Sequence, residues 1–264
     1  MFNKNVFKQT IKSNCKLWMI ITGVLVFFIS LFTIVIGRAL PDMLSKMPGA
    51  AIMMPDAGKS MLQFIGTMFC GSIGFLLPLV YILSTGNSLI ASQVDRGSMA
   101  YTLSTPISRK EVTFTQIIYF ILAVVGMYSL ITIACIIGIK VAGLEIYFKE
   151  LMLLFVGLVL LQLAIAGISF MFSCIFNTSG KSITFGAGIP IMSYIFSLVA
   201  TAGSSYSDFF KFFEYISLNS LYRPTDIMAL DASIIVPCFV ALAFISIATF
   251  TTGHFVFKKK DLPL

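Results

Sequence analysis

Residues 112–139 read VTFTQIIYFILAVVGMYSLITIACIIGI and contain no Asp, Glu, Lys or Arg. A helix needs roughly 20 apolar residues to cross the hydrocarbon core of a bilayer, and this stretch is longer. It is continuously apolar, whereas a membrane barrel strand would alternate over about ten residues. Five further windows, 17–37, 60–94, 151–180, 182–207 and 232–257, repeat the pattern, and every formal charge lies outside the six. A charge at mid-bilayer costs at least about 2.5–3.5 kcal/mol, which is the physical reason for such segregation.

Composition points the same way. The chain is 58% hydrophobic and 11% charged, with a mean hydropathy of +0.97. A soluble domain carries about 25% charged residues and could not hide this much apolar surface from water. The fold class expected is all-α: one polytopic membrane domain over 1–264 with six transmembrane helices, at about 17–37, 66–92, 113–139, 151–176, 183–203 and 233–257. Pro78 and Pro237 fall inside two of these spans, as membrane helices tolerate.

The first sixteen residues, MFNKNVFKQTIKSNCK, set Lys4, Lys8, Lys12 and Lys16 four apart. On a helix these make one slowly drifting cationic stripe, with Phe2, Val6, Phe7, Ile11 and Trp18 on another side. This predicts an amphipathic helix over 1–16 lying in the membrane interface, its lysines toward anionic lipid headgroups. A floppy basic tail is the alternative. A cleaved signal peptide fits less well, because the apolar window is too long and no small-residue site ends it.

Orientation follows from charge. Lys4, Lys8, Lys12, Lys16, Arg96, Arg109, Lys110, Lys181, Lys258, Lys259 and Lys260 flank one side of the spans. Arg38, Lys46, Lys59, Lys140, Lys149, Lys211 and Arg223 flank the other. The positive-inside rule makes the richer side cytoplasmic, which places both termini there, as an even number of spans requires. The net charge of +7 therefore reads as topology and headgroup contact, and no nucleic-acid partner is implied. Lys258, Lys259 and Lys260 join the N-terminal lysines as membrane-interface residues. The segment 204–232, with Tyr206, Phe209, Phe210, Phe212, Phe213 and Tyr215 among its charges, either dips into the membrane or lies on it.

Enzyme signatures are missing from the pattern. His254 is the one histidine, so a Ser-His-Asp triad would have to use it; a local interfacial histidine is the simpler reading. No HExxH occurs. Cys15, Cys70, Cys135, Cys174 and Cys238 show no metal or disulfide spacing and read as small buried hydrophobes. The methionines between spans one and two have no His or Cys beside them, so a soft-metal site is not expected. Catalytic, cofactor-binding and metal residues are accordingly none. Two GKS tripeptides, at 58–60 and 180–182, lack the glycine that a P-loop places five residues earlier, since Met53 and Ile175 stand there. Asp, Glu, Lys and Arg are also missing from the spans, and proton-coupled carriers usually keep charged residues there as relays.

The loop 93–112 carries the most information outside the spans. A short helix around Ser98–Ser104 is expected, stopped at Pro106, because the residue before a proline disfavours helix. Ser108 then caps the next helix, with Glu111 three residues on as its capping-box partner. Asp95, Gly97, Leu103, Ser104, Thr105, Pro106 and Arg109 resemble the loop of type-2 ABC-transporter permeases, in which an acid precedes Gly-Thr and a Leu-Leu-Ser-Thr-Pro-like stretch ends in arginine. Asp95 stands where glutamate is usual, and Ser98 where threonine is. The ending Phe257-Lys258-Lys259-Lys260-Asp261-Leu262 is similar to the aromatic-basic-Asp-Leu close of that family.

The resemblance implies a bacterial exporter's permease subunit in the plasma membrane. It implies two separate ABC ATPase subunits that bind ATP and Mg, and a second permease that is identical or paralogous. The 93–112 loop would be a cytoplasmic coupling helix, with Asp95, Arg96, Gly97, Ser98, Thr105, Pro106 and Arg109 as the ATPase-coupling residues. The phenylalanine- and methionine-rich spans suit a hydrophobic or amphipathic cargo such as a drug, antimicrobial peptide or lipid. A secondary carrier or channel and a membrane-embedded lipid-handling enzyme are the alternatives.

Overall fold

The computed structural model describes residues 2–46, 57–99, 107–203 and 207–260, which are almost entirely helical and contain no strand. Among the described residues, six helical stretches are long and apolar enough to cross a membrane. The first is α1 (Lys4–Lys46). The second runs through α2 (Ala57–Phe64), a π-helix (Ile65–Ile73) and α3 (Gly74–Leu89), followed by the short α4 (Ala91–Asp95). Then come α5 (Arg109–Val141), α6 (Phe148–Ile175) and α7 (Ser179–Gly203). Two short helices, α8 (Phe212–Ile216) and α9 (Pro224–Met228), precede the last span, α10 (Ala232–Lys259). Each span extends past its charge-free window at one end or both, because a helix can continue through the headgroup region where charged side chains reach water.

The centre of the bundle is α6, which packs against α3, α7 and α10. Close approach to α10 depends on Gly167: a methyl group there would collide with the hydroxyl of Thr249. Small residues let membrane helices approach in this way, since lipid offers no hydrophobic drive between them. On the other side, α1 packs along α5.

Pro78 has no N–H for the carbonyl of Gly74, one turn earlier in α3. The structure supplies other donors. The Tyr128 hydroxyl donates to Gly74 O at 2.7 Å, and Gln162 Nε2 donates to Phe75 O at 2.9 Å. Tyr128 of α5 thus satisfies the carbonyl that Pro78 leaves open, where no water in a bilayer would reach, and Gln162 of α6 adds a bond to the next carbonyl. The π-helix just before this point was not marked by the hydrophobic pattern, which is continuous through it.

One expectation is corrected at the N-terminus. The interfacial helix over 1–16 and the span over 17–37 are one uninterrupted helix that runs on to Lys46. A change of direction is nevertheless present. Phe7 meets Tyr119 edge-on at 6.1 Å, while Trp18 Nε1 donates to Ala123 O at 2.9 Å. Eleven residues of α1, roughly 16 Å of rise, therefore pass only four residues of α5, roughly 6 Å. The first turns of α1 slope across α5 before the two helices run side by side. The side of these turns that packs on the bundle lies next to the apolar row. Val6, Thr10 and Asn14 are buried, whereas Phe2 and Ile11 are exposed. Asn14 Oδ1 accepts from Ser88 Oγ at 3.0 Å, which explains why a polar residue lies inward.

The segment after α7 dips into the bundle. Ser217 Oγ donates to Ser193 O at 2.8 Å, and Leu218 N donates to Ser193 Oγ at 2.6 Å. Ser193 lies ten residues before the end of α7, so Ser217 sits roughly 15 Å along the helix from that end.

Candidate functional site

The second span breaks at Ile90, whose φ of −127° and ψ of −65° are not helical, and α4 restarts for five residues. Side chains from neighbouring spans hold the break. Gln116 Nε2 of α5 donates to Leu89 O at 2.7 Å, and Ala91 N donates to Ser173 Oγ of α6 at 2.9 Å. The chain then turns through Arg96 into Gly97, with φ of +70°. That left-handed conformation is why a glycine stands there, since other side chains meet the backbone in it. Ser98 Oγ donates to Gln93 O at 3.2 Å and closes the turn. Arg96 is exposed and lines a polar cavity with Gln9, Asn14, Ser88, Gln93 and Gln116.

Asp95 faces the start of α7: Ser179 N donates to its Oδ2 at 3.2 Å. A carboxylate is favoured there, because the first N–H groups of a helix have no partner inside it and the helix dipole is positive at that end. Arg109 opens α5, where Ser108 and Glu111 form the expected capping box, with both bonds at 3.3 Å. Its guanidinium donates from Nη1 to Lys260 O at 2.5 Å.

Lys260 stands apart from the other interface lysines. Lys4, Lys8, Lys12, Lys16, Lys258 and Lys259 are exposed, but Lys260 is half-buried. Its Nζ donates to Cys174 O and Ile175 O, both at 2.8 Å. These are the last carbonyls of α6, at the negative end of its dipole, where a cation is favoured. Burial pulls the Lys260 ammonium below its usual pKa. His254 has Nδ1 2.7 Å from Thr113 Oγ1, so the one histidine ties α10 to α5.

The two sides of the α6–α7 turn are therefore held by opposite charges: a lysine at the end of α6 and an aspartate at the start of α7. Asp95 and Arg109 belong to the predicted loop, and the structure connects them to the ends of α6, α7 and α10. Thr105 and Pro106, with the rest of 100–106, lie outside the described residues, as do Asp261 and Leu262. So does most of the helix expected over Ser98–Ser104. Gln116, Ser173 and Lys260 were missed as part of this cluster. A buried glutamine or serine in a span is a weak signal, and the lysine triplet gives no hint which member turns inward. Among the described residues, no three His, Cys, Asp or Glu side chains come together.

A family described as ABC-2 family transporter protein matches residues 4–262, nearly the whole chain. No curated protein matches the chain.

Proposed function

Because the chain belongs to the ABC-2 transporter family, we propose that it is the membrane-spanning permease subunit of an ATP-driven exporter. On this reading it moves a hydrophobic or amphipathic substrate, such as a drug, antimicrobial peptide or lipid, out of the cell. Two separate ATPase subunits bind ATP with magnesium, because neither GKS tripeptide of this chain has the P-loop glycine. A second permease, identical or paralogous, completes the assembly. The N-terminus, the 93–112 loop, the 177–182 loop and the C-terminus face the cytoplasm of a cell whose plasma membrane holds the protein.

The observation supporting this reading is the attachment of the loop to the span ends. A push on the loop by an ATPase would be felt by α7 through Asp95, and by α10 and α6 through Arg109 and Lys260. ATP-driven closure of the ATPases then stabilises one of two arrangements of the spans, a population shift in which the ligand favours one state.

The test uses the assembled complex. Asp95→Ala and Arg109→Ala variants should reach the membrane at normal abundance yet show substrate-stimulated ATPase activity reduced at least about fivefold, the low end of typical coupling between sites. Unchanged transport in both variants, or a tagged chain that never co-purifies with an ATPase, would overturn the proposal.

A further inference from the structure

Three parallel rows of residues run along the first turns of α1. Val6, Thr10 and Asn14 are buried against the bundle. Phe7, Ile11, Cys15 and Trp18 form the next row, and with Tyr119, Leu122 and Ala123 of α5 they line an apolar cleft of about 200 Å³. The cleft lies where α1 slopes across α5, between the Phe7–Tyr119 contact and the Trp18–Ala123 bond. Its floor is firm, since the buried Tyr119 has its hydroxyl 3.1 Å from that of Tyr81. Its mouth is open, since Ile11 is 40% and Leu122 55% exposed.

The third row is Lys4, Lys8, Lys12 and Lys16, all exposed. Lys4, Lys8 and Lys12 stand three residues before Phe7, Ile11 and Cys15, and residues three apart are neighbours on a helix surface. A ridge of ammonium groups therefore borders the apolar cleft along its length. Asn3 N bonds to Thr115 Oγ1 at 3.0 Å, which places Lys4 within about two turns of the charged start of α5 at Arg109, Lys110 and Glu111. Lys8, Lys12 and Lys16 follow on the same row, and their long side chains extend from there toward the headgroup level, as lysines beside apolar surface do.

We propose that this cleft binds one anionic phospholipid, with part of an acyl chain between α1 and α5 and the headgroup phosphate on the Lys8–Lys12 ridge. Charge complementarity selects the headgroup: each lysine near a membrane surface favours anionic lipid, and none of the cleft's lining residues is acidic. The acyl site is the cleft itself, which Phe7, Ile11 and Trp18 of α1 and Leu122 and Ala123 of α5 line with apolar surface. This inference does not depend on the exporter reading and would hold for any function of the spans.

Trp18 lines the cleft and is the one tryptophan of the chain, so its fluorescence reports on the site. The full chain is reconstituted in vesicles of phosphatidylcholine and phosphatidylglycerol, with brominated acyl chains on one lipid or the other. At equal mole fraction, brominated phosphatidylglycerol should occupy the quenching site with a preference of about fivefold or more over brominated phosphatidylcholine. K8Q/K12Q changes only exposed side chains and should abolish the preference. A123F should lower quenching by both lipids, because the ring fills the acyl site. Equal quenching by the two lipids in the unaltered chain overturns the proposal. So does a preference that survives K8Q/K12Q, or a lysine variant that alters only protein co-purification. Quenching unchanged by A123F would show lipid outside the cleft and likewise overturns it.

Discussion

The two ends of the bundle are held by bonds of different reach. At the loop end, Asp95 bonds to Ser179, Arg109 to Lys260, and Lys260 to Cys174 and Ile175. Each of these contacts joins elements more than 80 residues apart in sequence, and together they tie α4, α5, α6, α7 and α10. At the opposite end, Arg223 pairs with Glu214 at 2.6 Å and Asp226 at 3.8 Å, and Ser217 bonds to Ser193. These contacts stay within one stretch of chain, from α7 to α9. A displacement at the loop end is therefore shared among spans through polar bonds, whereas the inserted segment at the other end has its serine bonds to α7 and meets α6 and α10 by packing.

That contrast can be broken first at Lys260. Replacing it with Met removes two charge-assisted bonds from the end of α6. Discounted for partial exposure, the cost is about 1–3 kcal/mol, which a lowered midpoint of thermal unfolding in detergent would register. Lys260→Arg should recover part of the loss, since its guanidinium can still donate to carbonyls. A full-sized loss in both variants would mean that packing, and not the carbonyl bonds, holds this end.

A smaller effect is expected at the other end. Ser217→Ala loses the bond to Ser193 and costs about 1 kcal/mol. Its consequence should be local: faster protease cleavage within 207–223, with hydrogen exchange at 176–182 unchanged. Faster exchange at 176–182 would show that the two ends are coupled more tightly than their bonds indicate. The smallest effect is at Arg223, whose side chain is 42% exposed. Arg223→Gln should change stability by about 0–1 kcal/mol, and a larger loss would make the salt bridges, not the serines, the anchor of the inserted segment.

Much of the fold was legible because lipid imposes a simple rule on sequence. Six charge-free windows gave six spans, since any charge inside them would cost more than packing returns. The capping box at Ser108 and Glu111 was legible because both partners lie within one turn of helix. The site was legible only in part. Asp95 and Arg109 stood out through their resemblance to a known loop, but nothing near them in sequence points to Ser179 or Lys260. The N-terminal lysine stripe was correctly spaced, yet the helix carrying it was not a separate element. Hydropathy records where charge begins, and α1 crosses that boundary without a break in its hydrogen bonds.

The sequence by itself determined the number of spans, their approximate limits and the asymmetry of positive charge across them. These depend on each residue's own cost of transfer into lipid, which needs no knowledge of neighbours. Tertiary structure alone decided which residues close the helix ends and the proline gap: Asp95 at α7, Lys260 at α6, and Tyr128 at the Gly74 carbonyl before Pro78. It also decided that α1 slopes across α5 and opens an apolar cleft beside its lysines. An unsatisfied backbone group takes whichever donor or acceptor the packing brings within about 3 Å. That choice belongs to the arrangement of helices and is not written along any one of them.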